Sequence, residues 1–414
     1  MNKSELVRLF EQRGYIYQAT NLASLNEAAN TQVIPGYIGF DCTGKSLHVG
    51  SLISIMMLRT LQKAGHKPIV IMGGGTTKIG DPSGKDETRK ILTTEIINEN
   101  KESLKRVFSK YLKFGDGPTD AVMLDNAEWL DEIKYIEFLR DIGKHFSVNR
   151  MLTFDNVKLR IEREQPLSFL EFNYMLLQAY DFVELNKRYN CRLQMGGSDQ
   201  WGNIVSGVEL GRKLGCPELF GLTSELITTK SGAKMGKTAS GAVWLNEDML
   251  PAYDYWQFWR NTEDGDVEKF LKLFTELPID EINRLSKLKG KDINDAKIIL
   301  ANEVTQMCHG QGKAQAAHMT ALKTFVEGGS GESLPIYHIN QTDLESGIKA
   351  FKLLHESGLC ESLGAARRLI QGNGARINNA IITDEQQVIS KNDLVDGQLK
   401  LSSGPRKHLI VKVG

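Results

Sequence analysis

A strand–helix–strand pattern near the N-terminus constrains the fold of this chain more than any other feature. Two apolar runs, 33–41 and Lys67–Met72, flank the stretch 52–64, whose apolar spacing is that of a helix. A helical stretch at 95–113 and a further apolar run at 121–125 continue the alternation. This order is typical of parallel strands joined by right-handed crossovers. The sequence therefore predicts an α/β fold whose ligands bind beyond the carboxyl ends of the strands.

The length of the chain and its later patterns predict several domains. Its 414 residues are too many for one ordinary core. The pattern is helical from about residue 247 to 328, and the run Gly328-Gly-Ser-Gly331 is typical of a flexible linker. We predict an α/β domain at 1–246, an α-helical domain at 247–330, a linker at 331–344 and a small α+β module at 345–414.

Charge and cysteine content narrow the class of protein. The 51 basic and 51 acidic residues cancel, so any contact with nucleic acid must come from local patches. One such patch begins at Arg367: from this residue onward there are eight Lys or Arg residues and four Asp or Glu residues, an excess of four positive charges (8 − 4). The five cysteines are widely spaced and form no CxxC, which favours neither a disulfide framework nor a zinc site. With no apparent signal peptide or membrane span, the sequence predicts a cytoplasmic protein without a bound metal.

The segment Tyr37–Ser51 is typical of an anion site. A strand ends in a polar turn, and His48-x-Gly50 stands where the next helix begins. The first N–H groups of a helix have no intrahelical partner, and glycine allows a ligand to approach them closely. Thr43 and His48 can add side-chain donors, which suits a nucleotide phosphate. Such a turn is about equally often only a tight connection.

A second cationic segment lies far downstream, between Lys230 and Gly241. Its lysines Lys234 and Lys237, followed by Thr238, stand among Gly, Ser and Ala. The simplest interpretation is a solvated surface loop. The functional one is a mobile clamp that brings ammonium groups to a departing pyrophosphate.

Polar residues in two further segments suit a substrate pocket. Tyr174, Gln178 and Asp181 have the spacing i, i+4 and i+7 and so share one face of an otherwise apolar helix. Such a stripe is either a solvent face or the floor of a polar pocket, and the scarcity of other polar residues on this helix favours the pocket. In the segment 194–201, glycines precede Asp199 at a predicted helix start, which suits a ribose or a simple N-cap.

Together these segments resemble the tyrosyl-tRNA synthetases of bacterial type, over residues 3 to 414. The segment 37–51 is similar to the HIGH signature of class I synthetases, and Lys234-Met-Gly-Lys-Thr238 is similar to the KMSKS signature. Residues 364–378 resemble an S4-type RNA-binding domain. The resemblance implies a Rossmann-like catalytic domain followed by the helical domain and the S4-like domain. The sequence departs from the family's pattern at its last signature position, which is Ser51 here and His in the signature.

The resemblance also implies a role for each matching residue. The tyrosine substrate would be bound by Tyr37, Asp81, Tyr174, Gln178, Asp181, Gln194 and Gln200. ATP would be bound by Gly39, Asp41, His48, Gly50, Ser51, Gly197, Asp199 and Lys237. The groups around the reacting phosphates would be Thr43, His48, Lys85, Arg89, Lys234, Lys237 and Thr238. RNA would be contacted by Arg367, Arg368 and Arg376.

The implied activity is that of a tyrosine–tRNA ligase. It would form tyrosyl-adenylate and pyrophosphate from tyrosine and ATP, with Mg²⁺ accompanying ATP, and then transfer the tyrosyl group to the 3′-terminal adenosine of tRNA(Tyr). The family suggests a homodimer. The alternatives are a related class I enzyme, either a synthetase for another amino acid such as tryptophan or a small nucleotidylyltransferase, and a catalytically impaired RNA-binding paralogue.

Overall fold

The computed structural model describes residues 2–81, 92–228, 235–238, 241–325, 334–395, 397–404 and 407–413. The chain divides into two compact units. The first comprises Met1–Gly236, Trp244–Asn246 and Glu263–Leu288, and the second comprises Lys237–Val243, Glu247–Thr262 and Lys289–Gly414.

A six-stranded sheet forms the centre of the first unit. Its strands are β1 (Gln18–Ala19), β2 (Pro35–Phe40), β3 (Lys67–Met72), β4 (Val122–Asp125), β5 (Leu193–Gly197) and β6 (Phe220–Ser224). Their order is β1-β6-β5-β2-β3-β4, and all neighbours are parallel except the edge strand β1, which is antiparallel to β6. The direction of succession reverses between β2 and β5, and a ligand of such a sheet binds at that switch point.

The helices up to residue 285 surround this sheet, except α11, which belongs to the second unit. They are α1 (Glu5–Arg13), α2 (Leu22–Thr31), α3 (Val49–Lys63), α4 (Thr94–Phe108), α5 (Ala127–Leu130), α6 (Tyr135–Asp141), α7 (Val148–Met151), α8 (Asp155–Glu162), α9 (Phe169–Tyr189), α10 (Trp201–Lys213), α11 (Ala252–Arg260), α12 (Val267–Phe274) and α13 (Ile279–Leu285). Single 3-10 turns occur at Thr76–Lys78, Gly143–His145, Ser198–Gln200, Asp264–Asp266 and Lys391–Asp393.

Local sequence fixes the long helix α9. At its start Ser168 and Glu171 form a capping box, in which each side chain accepts the other residue's backbone N–H at 3.1 Å. At its end Asn190 adopts a left-handed conformation with φ 52°, which asparagine tolerates well. The inner face of α9 packs Phe182 and Leu185 against Tyr37 of β2 and Ile69 of β3. This packing brings one side of α9 over the carboxyl ends of the strands.

The second unit contains helices and small sheets. Its strands are β7 (Lys237–Thr238), β8 (Gly241–Ala242), β9 (Ile336–Ile339), β10 (Ile348–Lys349), β11 (Ala375–Ile377), β12 (Ala380–Ile381), β13 (Val388–Ile389), β14 (Gln398–Ser403) and β15 (Lys407–Val413). Its remaining helices are α14 (Ile293–His309), α15 (Gln311–Phe325), α16 (Gln341–Ser346), α17 (Ala350–Glu356) and α18 (Leu363–Gln371). The largest sheet has the order β12-β11-β14-β15-β9, and α17 and α18 add apolar side chains to its core.

The prediction of an α/β fold with a parallel sheet is confirmed, and β3 has the predicted bounds. Within the six-stranded sheet, β1 and β6 were not predicted. The predicted domain boundaries stay predictions, but residues 263–288, predicted to be part of the helical domain, pack within the first unit. Among the described residues, no helix combines the length and apolar character needed to cross a membrane.

Candidate active site

A cavity of about 280 Å³ lies at the carboxyl ends of the parallel strands, at the predicted position. Of the predicted site residues, those that line it are Tyr37, Gly39, Asp41, Gly50, Ser51, Asp81, Tyr174, Gln178, Asp181, Gln194, Gly197, Asp199 and Gln200. They come from β2, α3, α9 and β5, and from the segments that follow β2, β3 and β5. The fold thus collects side chains that are up to 163 positions apart in the chain (200 − 37).

The other predicted residues do not line this cavity. Thr43 is exposed in the turn after β2, and His48 is half-buried at the start of α3. Lys85, Arg89 and Lys234 lie outside the described residues, and only the backbone of Lys237 and Thr238 is described, as β7 of the second unit. Arg367 and Arg368 on α18 and Arg376 on β11 are exposed.

One end of the cavity is built around Asp181. One carboxylate oxygen of Asp181 accepts the indole N–H of Trp129 at 2.7 Å, and the other accepts the amide N–H of Asn126 at 2.9 Å. Each oxygen retains further acceptor capacity. The hydroxyl of Tyr37 is buried and has no hydrogen-bond partner among the described residues. This end of the cavity therefore offers both an acceptor and a hydroxyl group to a ligand hydroxyl.

Burial dominates the electrostatics of this end. It raises the pKa of Asp181 to about 7, although the N–H groups of Asn126 and Trp129 favour the charged form. Burial, and then the charge of Asp181, raise the pKa of Tyr37 well above its ordinary value. Tyr37 is thus a neutral hydroxyl at any physiological pH. Asp181 changes its charge near neutrality.

The middle of the cavity is lined by two further carboxylates. Asp41 accepts hydrogen bonds from the hydroxyls of Thr76 at 2.9 Å and Tyr174 at 3.2 Å. The amide of Gln200 donates to Asp81 at 2.8 Å, and that of Gln178 donates to Gln200 at 3.2 Å. Among the described residues, no lysine or arginine lines the cavity. An ammonium group is the ligand that such a carboxylate-rich, hydrogen-bonded wall suits best.

The turn at His48 is packed more tightly than the sequence indicates. The ring Nδ1 of His48 accepts the backbone N–H of Gly50 at 3.0 Å, so a neutral ring carries its proton on Nε2. A Cβ atom added at Gly50 would lie 2.6 Å from the His48 ring and 2.8 Å from the carbonyl oxygen of Met235. A Cβ atom added at Gly236, whose φ is +94°, would lie 2.7 Å from Nδ1 of His48. The described part of the lysine loop therefore lies directly on this turn.

Sequence reasoning missed three residues that hold the site together: Thr76, Asn126 and Trp129. Asn126 bridges two elements, because its carbonyl oxygen accepts the N–H of Gly75 at 2.9 Å while its amide donates to Asp181. One signal was available: Asn126 directly follows β4, at the carboxyl edge where ligands bind. No comparable signal marks Trp129, which looks like an ordinary core aromatic.

Comparison with known protein families gives a direct match. The family model described as tRNA synthetases class I (W and Y) matches residues 29–326. A tyrosine–tRNA ligase of Methylocella silvestris is 58% identical over 411 residues, which are 99% of this chain and 98% of that protein. A tyrosine–tRNA ligase of Zymomonas mobilis is 58% identical over 412 residues, which are 100% of this chain and 99% of that protein.

Solved structures of tRNA synthetases also align with this chain. The structure of a C-terminally truncated mitochondrial tyrosyl-tRNA synthetase from Aspergillus nidulans aligns with a TM-score of 0.69 and 30% identity, over 78% of this chain and 95% of that one. A tryptophanyl-tRNA synthetase from Encephalitozoon cuniculi aligns with a TM-score of 0.55 but only 13% identity, over 75% of this chain and 87% of that one. At that identity the second likeness concerns the fold alone.

Proposed function

The chain belongs to the class I tRNA synthetases, in the tyrosine–tRNA ligase branch, and we propose that the cavity described above is where it joins tyrosine to ATP. The observation that carries this assignment is the buried Tyr37 hydroxyl without a partner beside Asp181. A tyrosine side chain placed there donates its phenolic O–H to Asp181 and accepts from Tyr37. A phenylalanine side chain would leave both groups buried and unpaired, which is costly.

The remaining groups suit the rest of the amino acid. Asp81, Tyr174 and Gln178 surround the position of the ammonium group, with Gln200 toward the carboxylate and Gln194 beneath the ring. The carboxylate then attacks the α-phosphorus of ATP, and pyrophosphate leaves with the electrons of the broken P–O bond. The attacking carboxylate is already ionised at neutral pH, so this step requires positioning and charge stabilisation rather than a general base.

The nucleotide is proposed to lie across the switch point of the sheet. Gly39, Asp41, Gly197 and Asp199 would line the adenosine, and the turn with Thr43, His48, Gly50 and Ser51 would hold the phosphates. Mg²⁺ would enter as part of the substrate, bound to phosphate oxygens, as is usual for this ion. In the second step a hydroxyl of the 3′-terminal adenosine of tRNA(Tyr) attacks the tyrosyl carbonyl and displaces AMP.

Pyrophosphate exchange tests the whole assignment. With tyrosine present, the enzyme should exchange labelled pyrophosphate into ATP, while phenylalanine and tryptophan should support little exchange. Exchange driven by tryptophan would favour the related synthetase. If none of these amino acids supported pyrophosphate exchange but the protein still bound tRNA, it would be the impaired paralogue.

We expect kcat/KM for tyrosine to fall as the pH drops below about 7. This parameter reports groups of the free enzyme, and Asp181, with its pKa raised to about 7, is ionised above that pH and neutral below it. The neutral carboxyl is a poorer acceptor for the phenolic O–H. The control is kcat/KM for ATP at saturating tyrosine, which should lack this acidic limb. A tyrosine profile that is flat from pH 6 to 8 would contradict the assignment.

The lysine loop is proposed to neutralise the departing pyrophosphate, with Lys85, Arg89 and Thr238 as further donors. Lys234→Ala and Lys237→Ala should each slow adenylate formation by about 10²–10³-fold, the usual effect of removing one donor to a developing charge. Tyrosine affinity should hardly change. Lys230→Ala, in the same loop but outside the signature, is the control in stopped-flow measurements. Adenylate formation at the wild-type rate in both variants would refute the clamp.

We propose a homodimer that pairs through the surface of α6 to α9. Ile136 is 73% exposed and Phe169 is 68% exposed on this surface, together with Tyr135, Val148, Leu152, Leu159, Ile161 and Leu170. Exposed apolar clusters of this kind mark interfaces, and a two-fold pair is the commonest closed arrangement. Ile136→Glu should give monomers in sedimentation, whereas Met319→Glu, at an exposed methionine of the second unit, should not. A dimeric Ile136→Glu variant would exclude this surface.

The C-terminal module is proposed to add affinity for tRNA through Arg367, Arg368 and Arg376. Their exposure and the local positive excess support a phosphate contact, which weakens as salt rises. Binding of tRNA(Tyr) at several salt concentrations tests it, because Arg376→Ala should reduce the salt dependence. The proposed location is the cytoplasm, where tRNA is the substrate and where free thiols, such as all five cysteines here, persist.

A further inference from the structure

The asparagine at the start of α5 does not cap this helix. An asparagine side chain in that position usually accepts a backbone N–H of the first turn. The side chain of Asn126 makes no such bond. Its carbonyl oxygen accepts the N–H of Gly75 at 2.9 Å, and its amide donates to Asp181 at 2.9 Å. The start of α5 therefore depends on another acceptor.

Asp125, the last residue of β4, is that acceptor. Its Oδ1 accepts the N–H of Ala127, the first residue of α5, at 3.0 Å, and the N–H of Gly74 at 3.1 Å. Its Oδ2 accepts the ammonium group of Lys101 on α4. Asp125 itself does not line the cavity. One carboxylate thus joins the segment after β3 to the helix that carries Trp129.

This contact leaves no room for a side chain at Gly74. The φ angle of Gly74 is not positive, so other residues could adopt its backbone conformation. A Cβ atom added there would lie 2.2 Å from Oδ1 of Asp125, well inside the contact distance of the two atoms. The carboxylate of Asp125, rather than the shape of the turn, therefore requires glycine at this position.

We propose that Asp125 is a positioning residue for the recognition of the tyrosine phenol. The inference rests on the proposed function, in which Asp181 accepts the phenolic O–H. Asn126 directly precedes α5 and Trp129 lies within it, so the cap that Asp125 supplies fixes both donors to Asp181. Asp125 thereby contributes to the preference for tyrosine over phenylalanine, whose side chain makes no use of Asp181.

The charge of Asp125 does not explain such a role. Burial is the main cause that raises the pKa of Asp181, and the charges of Asp41 and Asp125 raise it further. Removing the charge of Asp125 would therefore favour the ionised form of Asp181, which is the better acceptor for a phenol. A loss of tyrosine recognition on removal of Asp125 must then come from a change in position.

The test measures the preference for tyrosine over phenylalanine as a ratio of kcat/KM values in pyrophosphate exchange. Asp125→Ala should reduce this ratio about tenfold, mainly through a higher KM for tyrosine, because two N–H groups lose an acceptor. Gly74→Ala should have a similar effect, because it displaces the same carboxylate from the other side. General damage to the enzyme would lower kcat/KM for both amino acids and leave the ratio unchanged.

Two further variants separate position from charge. In Lys101→Met/Asp125→Asn the side-chain oxygen can still accept both N–H groups, and the new NH₂ faces no ammonium group. The ratio should return to within about threefold of the wild-type value. The matched control is Asp131→Ala, at the other end of α5, where an exposed carboxylate also pairs with a lysine, Lys78, at 2.6 Å. This variant should keep the wild-type ratio.

An unchanged ratio in both Asp125→Ala and Gly74→Ala would overturn the inference. A loss in Lys101→Met/Asp125→Asn as large as that in Asp125→Ala would also overturn it, because the acceptor oxygen would then be irrelevant. Equilibrium binding of the two amino acids to the same variants gives the preference without catalysis. If the wild-type protein bound tyrosine selectively but exchanged no pyrophosphate, the proposed function would be wrong and the binding ratio would still decide the role of Asp125. A wild-type protein with no preference for tyrosine would refute both.

Discussion

Replacing Asp181 with Asn should lower kcat/KM for tyrosine by about a hundredfold. A hydrogen bond to a charged group contributes about 1.5–3 kcal/mol, which corresponds to at least a tenfold and up to a hundredfold effect. The substitution also creates a conflict within the protein. The two Asp181 oxygens accept N–H groups from Trp129 and Asn126, so the new amide NH₂ would face one of these donors. Steady-state kinetics with tyrosine would measure the loss.

The matched control is Glu184→Gln, the same type of change one turn further along α9. Glu184 is also buried, but it does not line the cavity. Its carboxylate accepts hydrogen bonds from Lys187 and Arg188. This variant should retain wild-type kinetics for tyrosine. Circular dichroism of both variants would show that α9 remains folded. Equal kinetics in Asp181→Asn and wild type would remove Asp181 from the proposed recognition of the phenol.

The parts of this site that could be predicted from the sequence are those that local periodicity determines. The spacing of Tyr174, Gln178 and Asp181 determines that they share one face of a helix, and all three line the cavity. What the spacing could not reveal is the environment that controls Asp181. Asn126 lies 55 positions away, and its bond to Asp181 exists only because β4 ends beside α9. The raised pKa of Asp181 likewise arises from burial by the assembled fold.

The missed strands have a similar physical explanation. β1 has only two residues, Gln18 and Ala19, and it exists because they pair with Thr223 and Leu222 of β6. A two-residue strand has no periodicity of its own, so its sequence carries no signal. β6 itself is a short apolar run interrupted by Gly221 and Thr223, which a sequence pattern cannot distinguish from a buried loop. By contrast, β3 is a continuous apolar run bounded by turn residues and was predicted with its correct bounds.

Adding one methyl group at Gly50 should slow adenylate formation about tenfold to a hundredfold. The Cβ of Gly50→Ala would lie 2.8 Å from the carbonyl oxygen of Met235 and 2.6 Å from the His48 ring, so the turn or the loop must move. Overpacking of this kind costs about 1–3 kcal/mol, and each 1.4 kcal/mol is a factor of about ten. Tyrosine binding should be retained, because the phenol-binding residues belong to other elements. Stopped-flow adenylate formation and equilibrium tyrosine binding separate the two effects.

Gly44→Ala is the control within the same segment, since the nearest atom to its added Cβ is the Ser46 carbonyl oxygen at 3.8 Å. It should form adenylate at the wild-type rate. Gly236→Ala approaches the same contact from the loop side, because its Cβ would lie 2.7 Å from His48 Nδ1. If Gly50 and Gly236 serve one contact, the double variant should lose less than the sum of the two single losses. Strictly additive losses in the double variant would mean that the turn and the loop act independently. If Gly50→Ala formed adenylate as fast as wild type, the close packing of the turn and the loop would not be needed for the reaction.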